Sequence, residues 1–157
     1  MSPGDGVLGA HPRLSKTIKV NVFPNSKMPP KEDKSKALLS LVGHTEPVRS
    51  VAVTPIVTGS YDKTCKVFNL ASGECLMTIN GHLHGVTSVA VTSDGSKVVT
   101  GSFDKTSKVF DLINGDCLLT LTGHNGRVNF VTITRDGTKC ITCCVHRVRI
   151  ARPWWGD

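Results

Sequence analysis

The chain has 157 residues, 39% of them hydrophobic and 20% charged, with a formal net charge of +7. That length accommodates one ordinary domain, and no apolar run approaches the roughly 18 residues that a membrane-spanning helix needs. The opening, Met1-Ser2-Pro3-Gly4-Asp5-Gly6, lacks the basic region and apolar stretch of a secretory signal. A soluble intracellular protein, cytoplasmic or nuclear, is expected.

The positive surplus lies at the ends. Residues 1–36 hold seven basic and three acidic residues, residues 37–146 nine and eight, and residues 147–157 three and one. The Lys- and Pro-rich stretch 27–36 makes residues 1–36 read as a basic, largely disordered segment. Within it, 17–23 alternates enough for a single strand, but no partner is visible. Basic termini can touch phosphates, so a nucleic-acid-associated protein is the alternative reading; nucleic acid is not the expected partner.

From residue 37 a unit recurs. Gly-His pairs begin at 43, 81 and 123, and residues 57–82 match residues 99–124 at 17 of 26 positions without a gap. The stretch Ala37-Leu38-Leu39-Ser40-Leu41-Val42-Gly43-His44 is in register with residues 117–124, so the chain meets the array on the last strand of a preceding unit. The first copy then offers only Thr54-Pro55-Ile56 where the second has residues 92–98. Proline suits a turn and cannot donate within a ladder, so this hairpin is expected to persist with shorter strands.

The second copy is the fullest. Its runs 86–92, 97–103, 107–112 and 117–122 alternate β-branched and apolar residues. Between them stand Ser93-Asp94-Gly95-Ser96, Asp104-Lys105-Thr106 and Asn114-Gly115-Asp116, which are hairpin signals. The third copy departs from this pattern. Where the others read Thr-Gly-Ser-aromatic-Asp, it reads Thr142-Cys143-Cys144-Val145-His146. A third strand follows only with one residue deleted, and Ala151 takes the aromatic position. Pro153 and the short Trp154-Trp155 tail leave no fourth strand.

These marks resemble the Trp-Asp (WD) repeat β-propeller family, whose repeats run to about 40–45 residues with four strands each. The resemblance covers about 37–150, with repeats near 43–80, 81–122 and 123–150. Residues 37–42 form the last strand of a preceding blade, and 151–157 an irregular tail. It implies an all-β fold: an incomplete WD-repeat propeller of about three four-stranded antiparallel blades, the last one incomplete. Closed propellers use typically 4–8 blades, so three leave apolar flanks and open edges. Three resolutions stand open. The sequence is a fragment, without function of its own, of a larger WD-repeat signalling protein; or a homodimer closes a six-bladed ring, residues 37–41 of one copy completing repeat 3 of the other; or a different partner caps the ends.

The sets His44, Ser60, Asp62 and His82, Ser102, Asp104 match a nucleophilic triad by residue type. Their recurrence at equivalent places instead resembles the family's buried hydrogen-bond network, in which imidazole, strand hydroxyl and turn Asp satisfy one another. Phe68 and Phe110 stand where that network usually ends on Trp. No catalysis is expected.

Cys140, Cys143, Cys144 and His146 have spacing that can suit zinc. Alternation sends Cys143 and Cys144 to opposite faces of a strand, so no metal or cofactor is expected. Cys65, Cys75 and Cys117 read as small buried apolar residues. What remains is a scaffold or adaptor that docks peptides or domains of other proteins on the propeller rim. The resemblance places contacts at Pro47, Arg49 and Tyr61; at Gly85, Thr87 and Phe103; and at Arg127, Asn129 and Val145.

Overall fold

The computed structural model describes residues 18–20, 39–53 and 55–152. Among these there are thirteen strands and no helix. β1 (Ile18–Val20) and β2 (Leu39–Leu41) form a two-stranded sheet. β3 (Val48–Ala52), β4 (Ile56–Ser60), β5 (Cys65–Phe68) and β6 (Cys75–Ile79) form blade 1. β7 (Val86–Val91), β8 (Lys97–Ser102), β9 (Ser107–Asp111) and β10 (Cys117–Leu121) form blade 2. β11 (Val128–Ile133), β12 (Cys140–Cys144) and β13 (Arg147–Ala151) form blade 3. Every pairing is antiparallel between sequence neighbours.

The second strand of each blade is the most buried. β4 is buried along its whole length, whereas the outermost strand β10 is nowhere fully buried. A middle strand has ladder partners on both edges and neighbouring blades against its faces. The blades dock through their glycines. A β-carbon placed on Gly59 would lie 2.7 Å from Val86 Cγ1 and 2.9 Å from Val89 Cγ1; one on Gly101 would meet Val128 and Val131 at the same distances. Only a residue without a β-carbon lets the next blade come so close. Val57, Cys65, Val67, Val86 and Val89 thereby share one core, and Val99, Val109, Val128 and Val131 another. Ser50 Oγ accepts the Val89 amide, and Ser88 Oγ the Val131 amide, each at 3.1 Å across the blade boundary.

The shortened first hairpin is present. Its innermost pair is Ala52↔Val57, one pair fewer than blade 2, which continues to Val91↔Val98. The second turn carries Lys63 and Lys105 at φ of 73° and 70°, a left-handed backbone that costs a non-glycine residue energy.

Two expectations need correction. Residues 18–20, placed in a largely disordered segment with no strand partner, pair with β2. The register Ile18↔Leu41, Lys19↔Ser40, Val20↔Leu39 repeats Cys65↔Ile79, Lys66↔Thr78, Val67↔Met77 in blade 1. β1 and β2 therefore correspond to the third and fourth strands of a further blade, and Leu41 packs against Ile56 and Phe68. Of the strand at 37–41, treated as free to complete a second copy, residues 39–41 are already engaged as β2. The remainder of residues 1–36 and residues 153–157 lie outside the described residues. Cysteine burial also differs: Cys65 is buried, but Cys75 is half-buried and Cys117 exposed, because both sit on outermost strands.

Candidate functional site

Two arrangements gather the candidate residues, one inside each blade and one across the blade faces. Inside blade 1, His44 Nδ1 donates to Asp62 Oδ2 and His44 Nε2 meets Thr58 Oγ1, both at 2.7 Å. Asp62 also accepts the Thr45 amide at 3.1 Å and the Thr64 hydroxyl at 2.7 Å. Blade 2 repeats this with His82, Asp104, Thr100, the Leu83 amide and Thr106. Burial depresses the pKa of both imidazoles, against the opposing pull of their Asp partners. A neutral ring with its proton on Nδ1 suits an acceptor-only carboxylate. For Asp104, burial alone would raise the pKa; hydrogen bonds from Thr106 and His82 outweigh it and bring the value down to about 2.

The hydroxyl that meets the imidazole is thus Thr58 or Thr100, not Ser60 or Ser102. Ser60 Oγ donates instead to the carbonyls of Glu46 and Pro47 and accepts the Asp62 amide at 3.2 Å. Ser102 binds the His84 carbonyl and the Asp104 amide in the same way. These serines fix the turn that aims Asp at His. Strand alternation hides the distinction in the sequence, since Thr58 and Ser60 lie on the same face two residues apart. Thr58 and Thr100 are fully buried, so this set has no exposed nucleophile beside its base.

Across the faces, Arg49 lies over the Tyr61 ring at 5.2 Å and Tyr61 lies 5.2 Å from the Phe103 ring. Arg127 in turn covers Phe103 at 5.4 Å. The backbone holds each aromatic residue in place, through Tyr61 N–H to Pro47 O and Phe103 N–H to Gly85 O, both 3.0 Å. The nine rim candidates divide accordingly. Arg49, Tyr61, Phe103 and Arg127 form one stacked row. Pro47 supplies a carbonyl beneath it, and Gly85 is buried, with room for a side chain already taken by Tyr61. Thr87 is spent inside the array, its hydroxyl directed at the carbonyls of Gly101 and Val128. Asn129 and Val145 are exposed in blade 3 and join no stacked pair. Of the Cys140, Cys143, Cys144 and His146 set, Cys140 and Cys144 are buried on β12 and Cys143 is half-buried there, while His146 lies beyond the strand and is exposed. Among the described residues, no three His, Cys, Asp or Glu side chains converge as metal ligands.

The WD40 family model (WD domain, G-beta repeat) matches residues 35–69, 73–111 and 115–148, well over half of the chain. The chain belongs to the WD40 family. Among similar proteins, mouse "Dynein assembly factor with WD repeat domains 1" is 41% identical over 63 residues, covering 37% of this chain and 15% of that protein. "Pre-mRNA-splicing factor PRP46" of Debaryomyces hansenii is 42% identical over 71 residues, covering 41% and 17%. Human "Kinesin-like protein KIF21A" is 47% identical over 49 residues, covering 30% and 3%. The chain thus spans less than a fifth of the length of each of these relatives. WD40 repeats point to a protein-interaction scaffold. No helix among the described residues is long and apolar enough to cross a membrane.

Proposed function

We propose that this WD40 chain is a docking platform that binds a peptide or domain of another protein along the Arg49–Tyr61–Phe103–Arg127 row. The observation that carries this reading is the stack itself, two guanidinium groups closing the ends of an aromatic pair. Stacking gives the four side chains a fixed geometry before any partner arrives, so less conformational entropy is lost on binding. Aromatic residues and Arg are also the types that dominate interface energies. The platform works without catalysis, and its setting is intracellular, cytoplasmic or nuclear. The relatives named as dynein assembly and pre-mRNA splicing factors support that setting.

Selection of a displayed peptide library on the chain tests the proposal. Selected peptides should lose at least about tenfold in affinity, roughly the scale of one interface hot spot, when Tyr61 or Phe103 becomes Ala. Peptides that bind both variants as tightly as the unaltered chain would place the docking site elsewhere.

A further inference from the structure

Blade 3 keeps the imidazole and lacks its acid. His124 is 6% exposed, against 7% for His44 and for His82. Its Nε2 lies 2.8 Å from Thr142 Oγ1, matching the contact made in the other two blades. There the resemblance stops. The turn after β12 is one residue shorter, and His146 occupies the place of Asp62 and Asp104. His124 Nδ1 is left buried with no hydrogen-bond partner.

Two cationic groups lie near His124. Burial lowers the His124 pKa, and Arg149 and Arg147 are the charged groups that lower it further. A β-carbon on Gly123 would fall 2.8 Å from both terminal nitrogens of Arg149, which puts that guanidinium against the residue preceding His124. One of those nitrogens donates to Thr122 O at 3.4 Å, while the buried Arg149 Nε has no partner. Among the described residues, His44 pairs with Asp62 and His82 with Asp104, whereas neither arginine has an ion pair. A buried ring nitrogen without a partner, which carries a proton in one tautomer, and two cations without an ion pair would all be satisfied by one anionic acceptor.

We propose that blade 3 binds an external carboxylate, seated where Asp62 and Asp104 sit in the other blades, accepting from His124 Nδ1–H with Arg147 and Arg149 as counter-charges. This site is separate from the aromatic row and stands or falls independently of it. The carboxylate comes from an acidic side chain of another protein or from a small free acid.

Long-range ¹H–¹⁵N spectra of the histidine rings in the full chain test this. Acetate is the free-acid probe, a blocked glycine-rich peptide with one Glu is the side-chain probe, and inorganic phosphate is the competing anion. Either carboxylate should shift the His124 signals saturably and leave His44 and His82, already occupied by Asp, unmoved. A tighter response to the peptide identifies a protein side chain as the source, and a response to acetate at least as tight identifies a small acid. Arg147→Gln, a change at an exposed residue, should weaken the response by about two- to fivefold. The proposal is overturned by an unresponsive His124, by all three histidines moving together, by phosphate saturating His124 more tightly than the carboxylates do, or by unchanged affinity in R147Q.

Discussion

Blade 2 and blade 3 are built on one plan, yet they differ at four residues that tie blade 2 to what lies outside its own sheet. Gly101, which admits Val128 and Val131, is replaced by Cys143. Ser88, which bonds across the blade boundary, is replaced by Phe130. Asp104 gives way to His146, and Phe110 to Ala151. The strands survive all four changes, with Cys143↔Val148 standing where Gly101↔Ser107 stands in blade 2. Alternation and turns therefore suffice for a sheet. Docking to a neighbour and satisfying the buried imidazole are separate requirements, carried by different residues. The consequence is visible on the flank. Val109 is fully buried between blades 2 and 3, whereas its counterpart Ile150 is 67% exposed and Phe130 is 57% exposed. With Cys143 filling the space left by glycine elsewhere, blade 3 does not offer a following blade the seat that blades 1 and 2 offer.

The sharpest way to break this comparison is to place alanine at the same position in both blades. Gly101→Ala should destabilise by roughly 1–3 kcal/mol, because its β-carbon has no room against Val128. Cys143→Ala should stay within about 1 kcal/mol. Urea midpoints measure both, and equal losses would mean that the two positions are not differently packed.

Removing the acid comes next in size. Asp104→Ala orphans His82 Nδ1 and the Leu83 amide and should cost about 1–3 kcal/mol. His146→Ala removes an exposed side chain and should change stability by less than about 0.5 kcal/mol. A comparable loss from the second substitution would give His146 a structural role that blade 3 does not reveal.

The smallest effect concerns acidification. Burial lowers the pKa of His44, His82 and His124 from 6.5. A histidine shifted downward takes up its proton more readily when unfolded. Its contribution is therefore complete above about 6.5 and is lost as the pH falls toward and through the folded value. Asp104, held at about 2, gives up its own contribution only below the ordinary carboxylate range. The melting temperature should thus fall between pH 7 and pH 5 through the histidines alone. A melting temperature that rises over that interval would show that the imidazoles gain protons on folding.

Much of this was legible in the sequence because its physics is local. The hairpins of blades 1 and 2, the shortened first turn and the altered motif at 142–146 follow from alternation, turn residues and internal comparison. The partner of β1 was not read from the sequence, although a signal exists. Thr17-Ile18-Lys19-Val20 repeats the Thr-x-Lys-Val of residues 64–67 and 106–109. Four residues followed by a Pro- and Lys-rich stretch carry too little pattern to stand out alone.

The one-dimensional pattern thus determined the family, the fold class and the place where the repeat goes wrong, since side-chain period and turn chemistry act over a few residues. Only the tertiary structure decided which hydroxyl meets each imidazole, which glycines make room for a neighbour, and which four of nine rim candidates stack in one row. It also showed that His124 keeps a buried ring nitrogen without a partner. Such outcomes depend on distances between residues from 12 to more than 40 positions apart, and these exist only once the sheets have docked.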